Sequence, residues 1–501
     1  LDPDYFFSKV NKNYLHIDFP LSKKEARLFY NELLDAKNIL SHRFLPLIQF
    51  KIRFKKYPSN HKPVLKEREI SLVSHHDSGI YSFLSSVINE KYNRYSKIHG
   101  ISESSVAYRT INHLSNITVA KEVFDFIDMQ SEVFVMKGDF KGFFDNLDHT
   151  ILTKHIFEVL ELHKDTLDYN VWLKIINNIE NFRKIDRDIF TQTFENENLH
   201  IQNRHNVSAY FSSRKDFGRF IKKHKDLITT NKKNGIPQGT GISGILANVY
   251  MVEFDEIIEK YSSKYQGIYR RYSDDFIIVL PKKLLNYETF KIFVDYVINL
   301  SHNIVNLTIE ENKTKMFSVS KGNVFDIKSN KNTSLDYLGF ILQQNTIAIR
   351  PKSIYKFYYR GRRAIKYSTM ASRLYSISKQ RSRISNQKIK DLPLKIRSDY
   401  NKIYGGKNIF TENIHEQKAK NNRVERIIHH QRSKVGLPEI KKVKKSYLQK
   451  VDRAKPRESF LSYVKLANKI FSEGSFGYKL AFTKQAKKTR RKFYKLRRDL
   501  T

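Results

Sequence analysis

The chain has no cysteine in its 501 residues. That absence excludes disulfides, thiolate zinc sites and thiol catalysis, and it fits a reducing compartment. Apolar residues never run together for the 18 or more positions a membrane helix needs, so no membrane span is expected. The opening stretch, "LDPDYFFSKVNKNY", lacks the apolar core and small-residue cleavage site of a secretory signal. No lipidation signal, basic amphipathic anchor or internal repeat is evident. A soluble cytoplasmic protein with no membrane partner is the expectation.

Acid is scarce at one end. Lys and Arg number 91 against 51 Asp and Glu, a net charge of +40. Residues 351–501 hold 42 basic and 10 acidic residues, so +32 of that excess lies there. So basic a segment reads as a polyanion-binding surface. Its Lys and Arg are interleaved with aromatics, which favours nucleic acid over lipid. Hydrophobic content of 40% with 13% aromatics supplies a real core, and the length predicts two or three domains.

Along the chain, residues 1–130 read as mostly helical, with a basic patch from Lys51 to Lys66. A buried strand is predicted over Val133–Met136, ending in "KGDF", then a helix from about Asn146 with Asp145 as its N-cap. Residues 160–230 read as a mostly helical insertion. A glycine-rich segment opens at Asn234 and runs into a helix, and another helix is predicted over Tyr287–Ser301. "LTIEENKTKMFSV" and "LDYLGFIL" read as short strands or turns. After about residue 346 basic helical stretches dominate, with residues 403–422 as a linker or loop.

Chemistry concentrates in "GIYRRYSDDFIIVLP" at Gly267–Pro281. Aromatic and β-branched runs flank two turn-forming residues, Asp274 and Asp275, which is the pattern of a β-hairpin. An Asp-Asp pair is ordinarily a solvated tip. Asp139 changes that reading, because it ends the strand "FVMKGDF". If that strand lies beside the hairpin, the carboxylates converge and repel unless divalent cations neutralise them. A Mg²⁺ pair held by a few carboxylates plus substrate phosphates is the standard need of phosphoryl transfer, with Mn²⁺ as a substitute.

"VMKGDFKGFFDNLDH", "NGIPQGTGISGILANVYM", "RRYSDDFIIV", "LTIEENKTK" and "LDYLGF" occur in the order and approximate spacing of the palm motifs of reverse transcriptases. The chain resembles that family over roughly residues 60–345. Ser273 stands where alanine is commonest in the family. The resemblance implies an α+β right-hand polymerase: an N-terminal and fingers region over 1–130, a palm with a fingers insertion over 131–345, and a basic, mainly α-helical thumb and C-terminal domain over 346–501. It also implies that Asp139, Asp274 and Asp275 form the catalytic triad, with the backbone carbonyl of Phe140 as a further metal ligand.

Other positions carry over one at a time. Phe144, five residues after Asp139, matches the aromatic gate that crowds a ribose 2′-hydroxyl; of Phe143 and Phe144, one belongs to the core. Gln238 matches the glutamine beside the incoming nucleotide, and Gly239 and Gly241 let backbone approach the base pair. Lys313 matches the palm lysine near the triphosphate. Arg68 aligns with the fingers arginine that grips phosphate, assisted by Lys66. For Lys313 and Arg68 the plain alternative is a solvated charge.

The N-terminal stretches "REISLVSHHDSGIYSFLSSVINEKYNRY" and "VAYRTINHLSNITVAKEVFDFI" resemble bacterial abortive-infection and unknown-group reverse transcriptases of antiphage defence. Neither the retron "VTG" and "NAxxH" elements nor an HNH endonuclease signature is present. In their place stand "YKFYYRGRRAIKY" and "KQAKKTRRKFYKLRR". Lys356, Tyr358, Tyr359, Arg360, Arg362, Arg363, Lys487, Lys488, Arg490 and Arg491 are the candidate RNA contacts.

The expected activity is DNA synthesis from dNTPs, with a noncoding RNA as template or scaffold and DNA as product. Homo-oligomerisation is left open. One rival is template-independent or protein-primed synthesis; another is a non-catalytic RNA-binding scaffold, against which the intact acids argue. His75–His76 and His429–His430 lack partners at metal-ligand spacing and read as surface or structural. Asp145 and Asp148 read as a cap and a first-turn acid. Lys441–Lys445 reads as a solvated face unless RNA covers it.

Overall fold

The computed structural model describes residues 6–7, 10, 14–56, 64–109, 114–164, 166–204, 207–231, 234–311, 313–359, 361–362, 460–474 and 477–500. The predicted linker at 403–422, His429–His430 and Lys441–Lys445 lie outside them. The chain divides into two compact units, one over Leu1–Ser115, Glu132–Ser318 and Asp326–Asn330, the other over Asn116–Ser131, Val319–Phe325 and Lys331–Thr501. Among the described residues no helix is long and apolar enough to cross a membrane.

The first unit departs from the expected helical start. Strands β1 (Leu47–Lys56) and β2 (Val64–Leu72) form a long antiparallel pair, with Ile48 opposite Leu72 and Ile52 opposite Arg68. In "LIQFKIRFKK" apolar and polar residues alternate, a period of two that the density of positive charge obscures. Arg183–Asp186 pairs parallel with β1, and Thr229–Thr230 completes a four-stranded sheet. The insertion at 160–230 is accordingly mixed. Its helices Leu167–Glu180, Arg187–Asn196 and Arg214–Lys223 alternate with short strands, and the rings of Phe190, Phe194, Phe211 and Phe220 form a small core.

Helix α1 (His75–Ile98) starts where the Ser74 hydroxyl accepts from the Asp77 amide at 3.2 Å, an N-cap. Its buried face, including Ile80, Ile88 and Tyr92, enters the main core. The "VFVM" run lies in strand β3 (Glu132–Asp139), whose Val133, Val135 and Met136 are fully buried. Strand β3 lies between the strand at Asp275–Pro281 and the start of Lys315–Ser320. Its near-continuous apolar run, rather than an alternating one, is what a strand covered on both faces requires. The Tyr287–Val305 helix extends four residues past its expected end and stacks Phe290 on Phe134 at 4.9 Å.

The second unit combines the helix Asn116–Gln130 with a four-stranded sheet of Leu335–Tyr337, Phe340–Gln343, Thr346–Ile349 and Lys479–Leu480. Two of these strands lie beyond residue 346, where helix alone was expected; they are only four and two residues long, too short to show a period. Phe340 packs on Phe471 and Phe482 at 5.0 and 5.5 Å, seating helices Phe460–Phe471 and Phe482–Leu500. The Asn116 amide donates to the Leu338 carbonyl and the Tyr463 hydroxyl.

Candidate active site

The predicted hairpin is present, displaced by one residue. Strands β4 (Ile268–Tyr272) and β5 (Asp275–Pro281) pair antiparallel, with Tyr272 opposite Asp275. The two-residue loop is therefore Ser273–Asp274, not Asp274–Asp275. Ser273 takes a left-handed φ of +61°, as two-residue hairpin loops demand. Asp275 belongs to the ladder because β3 extends far enough to pair with it: Asp139 is its register partner, and Gly138 faces Phe276. A side chain at Gly138 would overlap the Phe276 ring, so glycine is required there.

Backbone bonds fix the end of β3 from two sides. The Phe140 amide donates to the Asp274 carbonyl at 3.2 Å, and the Glu310 amide to the Asp139 carbonyl at 2.9 Å. The Lys141 amide donates to Thr308 at 2.9 Å. Together these bring Asp139, Asp274 and Asp275 to one end of the sheet. Burial pushes the Asp274 carboxyl up to about 6, and the charges of Asp275 and Asp139 add to that effect. The Lys313 ammonium lies 2.6 Å from Asp139 and also contacts Glu310. Although burial opposes it, these two carboxylates raise the Lys313 pKa.

Mutually repelling carboxylates need positive charge, and in chemistry they suit a hard divalent cation. The bonds joining β3 to residues 308–310 use the Asp139 carbonyl and leave that of Phe140 out. Asp139, Asp274, Asp275 and that carbonyl are thus a suitable oxygen donor set. They are not a finished cage: among the described residues no three His, Asp or Glu side chains stand in metal-holding geometry. Asp139 is instead engaged by Lys313.

The nucleotide-side candidates lie on the 3₁₀ turn after β3, on the "PQG" turn and on β2. Phe143 and Phe144 lie in a 3₁₀ turn, Phe143–Asp145; Phe143 is buried, while Phe144 is half-buried and edge-on to it at 5.4 Å. Phe143 is therefore the core member of the pair. Gln238 accepts at its carbonyl from the Ser71 amide at 2.9 Å and donates from its side chain to Asp145 at 3.2 Å. Gly239 has φ +107°, and a Cβ there would stand 2.8 Å from the Ser71 carbonyl. Strand β2 thus runs against the "PQG" turn, and Arg68, on the same strand, is exposed. The side chain of Lys66 lies outside the described residues.

The helix after β3 is His149–Val159, capped by Asp148, whose carboxylate accepts from the Thr150 and Ile151 amides. The expected start at Asn146 with Asp145 as cap fails because Asp145 closes the 3₁₀ turn and bonds Gln238. Burial raises the Asp145 carboxyl, Gln238 lowers it and Glu69 raises it further. His75 and His76 prove structural: the His75 ring bonds the Tyr14 carbonyl, and both residues' amides donate to Asp18.

Two further residues escaped the sequence reading. Helices α2 (Ser243–Tyr250) and α3 (Val252–Lys264) follow the "PQG" turn. Asp255 of α3 forms a bidentate pair with Arg271 of β4, at 2.8 and 2.6 Å, both fully buried. The available signal was two adjacent arginines in an otherwise apolar strand, where alternation turns at least one of them inward; Arg270 is buried as well.

In the second unit, Lys356, Tyr359, Arg362, Lys487, Lys488 and Arg491 are exposed. Arg490 is half-buried. Tyr358 stacks on Phe493 at 5.7 Å beneath the Lys492 ammonium. Arg360 and Arg363 lie outside the described residues.

Comparison with known proteins adds the following. No curated protein matches the chain. Among solved structures, apo telomerase from Candida tropicalis truncated from its C-terminal domain is similar at 15% identity and TM-score 0.38, covering 60% of this chain and 55% of that one. Apo telomerase from Candida tropicalis gives 13% and 0.39, covering 68% and 50%. Telomerase from Candida albicans in complex with a TWJ fragment of telomeric RNA gives 11% and 0.32, covering 91% and 72%. The chain thus spans about half the length of the first two. A family model, reverse transcriptase (RNA-dependent DNA polymerase), matches residues 62–342. That span is more than half of the sequence and contains all three aspartates, Gln238 and Lys313, so the chain belongs to the reverse transcriptase family.

Proposed function

We propose that the chain is an RNA-directed DNA polymerase that builds DNA from dNTPs, templated by an associated noncoding RNA, in bacterial defence against phage. The observation that carries the catalytic part is the meeting of Asp139, Asp274 and Asp275 at one sheet end, beside Lys313. Two Mg²⁺ ions (or Mn²⁺), when bound by these carboxylates and the Phe140 carbonyl, would activate the primer hydroxyl and steady the triphosphate. Lys313, held by Asp139 and Glu310, supplies a cation for the triphosphate's charge. The half-buried Phe144 ring leaves a 2′-hydroxyl neither space nor a hydrogen-bond partner. Gln238, braced by Asp145 and Ser71, orients the incoming nucleotide, and Arg68 grips its phosphates.

The defence assignment draws on the resemblance of residues 68–95 and 106–127 to abortive-infection enzymes. In this reading 1–130 supply the N-terminal and fingers region, 131–345 the palm, and 346–501 an RNA-holding thumb and C-terminal domain. Purification from the native locus tests it, with sequencing of bound RNA and DNA and a check for DNA attached covalently to protein. A DNA product complementary to a co-purified RNA is expected. A product complementary to none, or one joined to a tyrosine, would replace the templated reading with the template-independent or protein-primed one.

A further inference from the structure

The turn that carries Asp274 is held from beneath by a buried charge. Arg271 donates through Nη1 to the Ser273 carbonyl at 3.1 Å, while its other guanidinium nitrogens grip Asp255 at 2.8 and 2.6 Å. The Tyr269 hydroxyl donates to the same Asp255 carboxylate at 2.7 Å. The Arg271 amide donates to Ser104 at 2.6 Å, and its carbonyl accepts from Val106 at 3.0 Å. Asn248 of α2 contacts Arg271 at 3.4 Å and donates to the Ala107 carbonyl at 2.7 Å. Above the turn, the Tyr108 hydroxyl donates to Ser273 Oγ at 3.1 Å.

A fully buried ion pair is poor evidence for stability, since apolar side chains of similar volume often hold a core as well or better. What apolar replacements cannot do is grip a carbonyl in a two-residue turn. A carboxylate displaced by about 1 Å can cost about 100-fold in rate. We propose that Arg271, locked by Asp255, is a positioning residue that fixes the Ser273–Asp274 turn and so the placing of Asp274 against Asp139. This rests on the polymerase reading of the hairpin and adds a residue pair that touches neither substrate nor primer. The fork geometry matters. A lysine keeps the charge but cannot bind two Asp255 oxygens and the Ser273 carbonyl together.

The test uses the full-length protein with its co-purified RNA and measures dNTP incorporation, KM for dNTP and the urea unfolding midpoint. The triple variant Tyr269→Phe, Asp255→Leu, Arg271→Met removes the buried polar cluster at similar volume. It should keep its fold and midpoint, lose about 100-fold in kcat and keep KM within about threefold. A folded triple variant with wild-type kcat overturns the proposal. If the triple variant does not fold, Arg271→Lys decides. A drop of tenfold or more in kcat at an unchanged midpoint supports positioning. Wild-type kcat, or a variant that cannot fold, overturns it. Asp274→Ala in the same assay separates the two readings: if it still incorporates dNTPs, the polymerase assignment itself has failed.

Discussion

Asp139 of β3 stands directly opposite Asp275 of β5, with Asp274 in the adjoining turn. Like charges facing each other across a strand pair are destabilising, and burial of Asp274 adds to the cost. A carboxyl whose folded pKa is raised from 3.8 to about 6 costs stability that builds up as pH rises between those values and is complete above 6. Asp274→Asn should therefore stabilise the protein, by about 1 kcal/mol at pH 7.5 without divalent metal. Urea midpoints in EDTA measure it, and a lower midpoint would contradict the repulsion.

Phe144 should select against ribonucleotides by steric exclusion. With Phe143 taking the core position, Phe144→Ala opens space without emptying the core. Incorporation of rNTPs relative to dNTPs should rise in direct competition. An unchanged ratio would mean that this ring does not meet the sugar.

Exposed Lys356, Arg362, Lys487, Lys488 and Arg491 are expected to meet RNA phosphates. Each contact releases counterions, so affinity should fall roughly a thousandfold between 50 and 200 mM salt if six or more form. Removing one such charge should make the salt dependence shallower by about one contact. Filter binding across that range is the measurement, and a flat response would remove RNA from this surface.

The strands that carry the three aspartates were legible because chemistry and period agreed in them. "SDDFIIV" and "VMKGDF" each carry acids at the end of an apolar run that only a buried strand accommodates. Phe143 against Phe144 was undecidable from sequence, since both suit a core. Strands β1 and β2 were hidden by their lysines, and the one-residue shift of the loop depended on β3, distant in sequence. The Asp255–Arg271 pair was hardest of all: two adjacent arginines in an apolar strand hint at a buried charge, but the partner, Asp255, lies 16 residues away on a helix. Asp148 took the capping role expected of Asp145 because either is a competent cap, and the 3₁₀ turn that ends at Asp145 decided between the two.

His16 is fully buried, and burial pushes its pKa down to about 4 from 6.5, though the Asp18 charge opposes this and His75 adds to it. A histidine with a lowered folded pKa must stay neutral, so its contribution is complete above pH 6.5 and is lost as pH falls toward 4. Between pH 7.5 and 5 the fold should lose about 2 kcal/mol through this group. His16→Gln, which cannot titrate, should show a flatter profile of urea midpoint against pH. An identical slope in both proteins would place the acid sensitivity elsewhere.

The central claim is that the three aspartates are the polymerising centre. Its most direct measurement is dNTP incorporation by full-length Asp139→Ala and Asp274→Ala, each checked for an unchanged circular dichroism spectrum and retained RNA. Losing one such carboxylate removes charge neutralisation and positioning together, so incorporation should fall by several orders of magnitude, roughly a thousandfold or more. Substantial incorporation by folded Asp274→Ala would contradict the account.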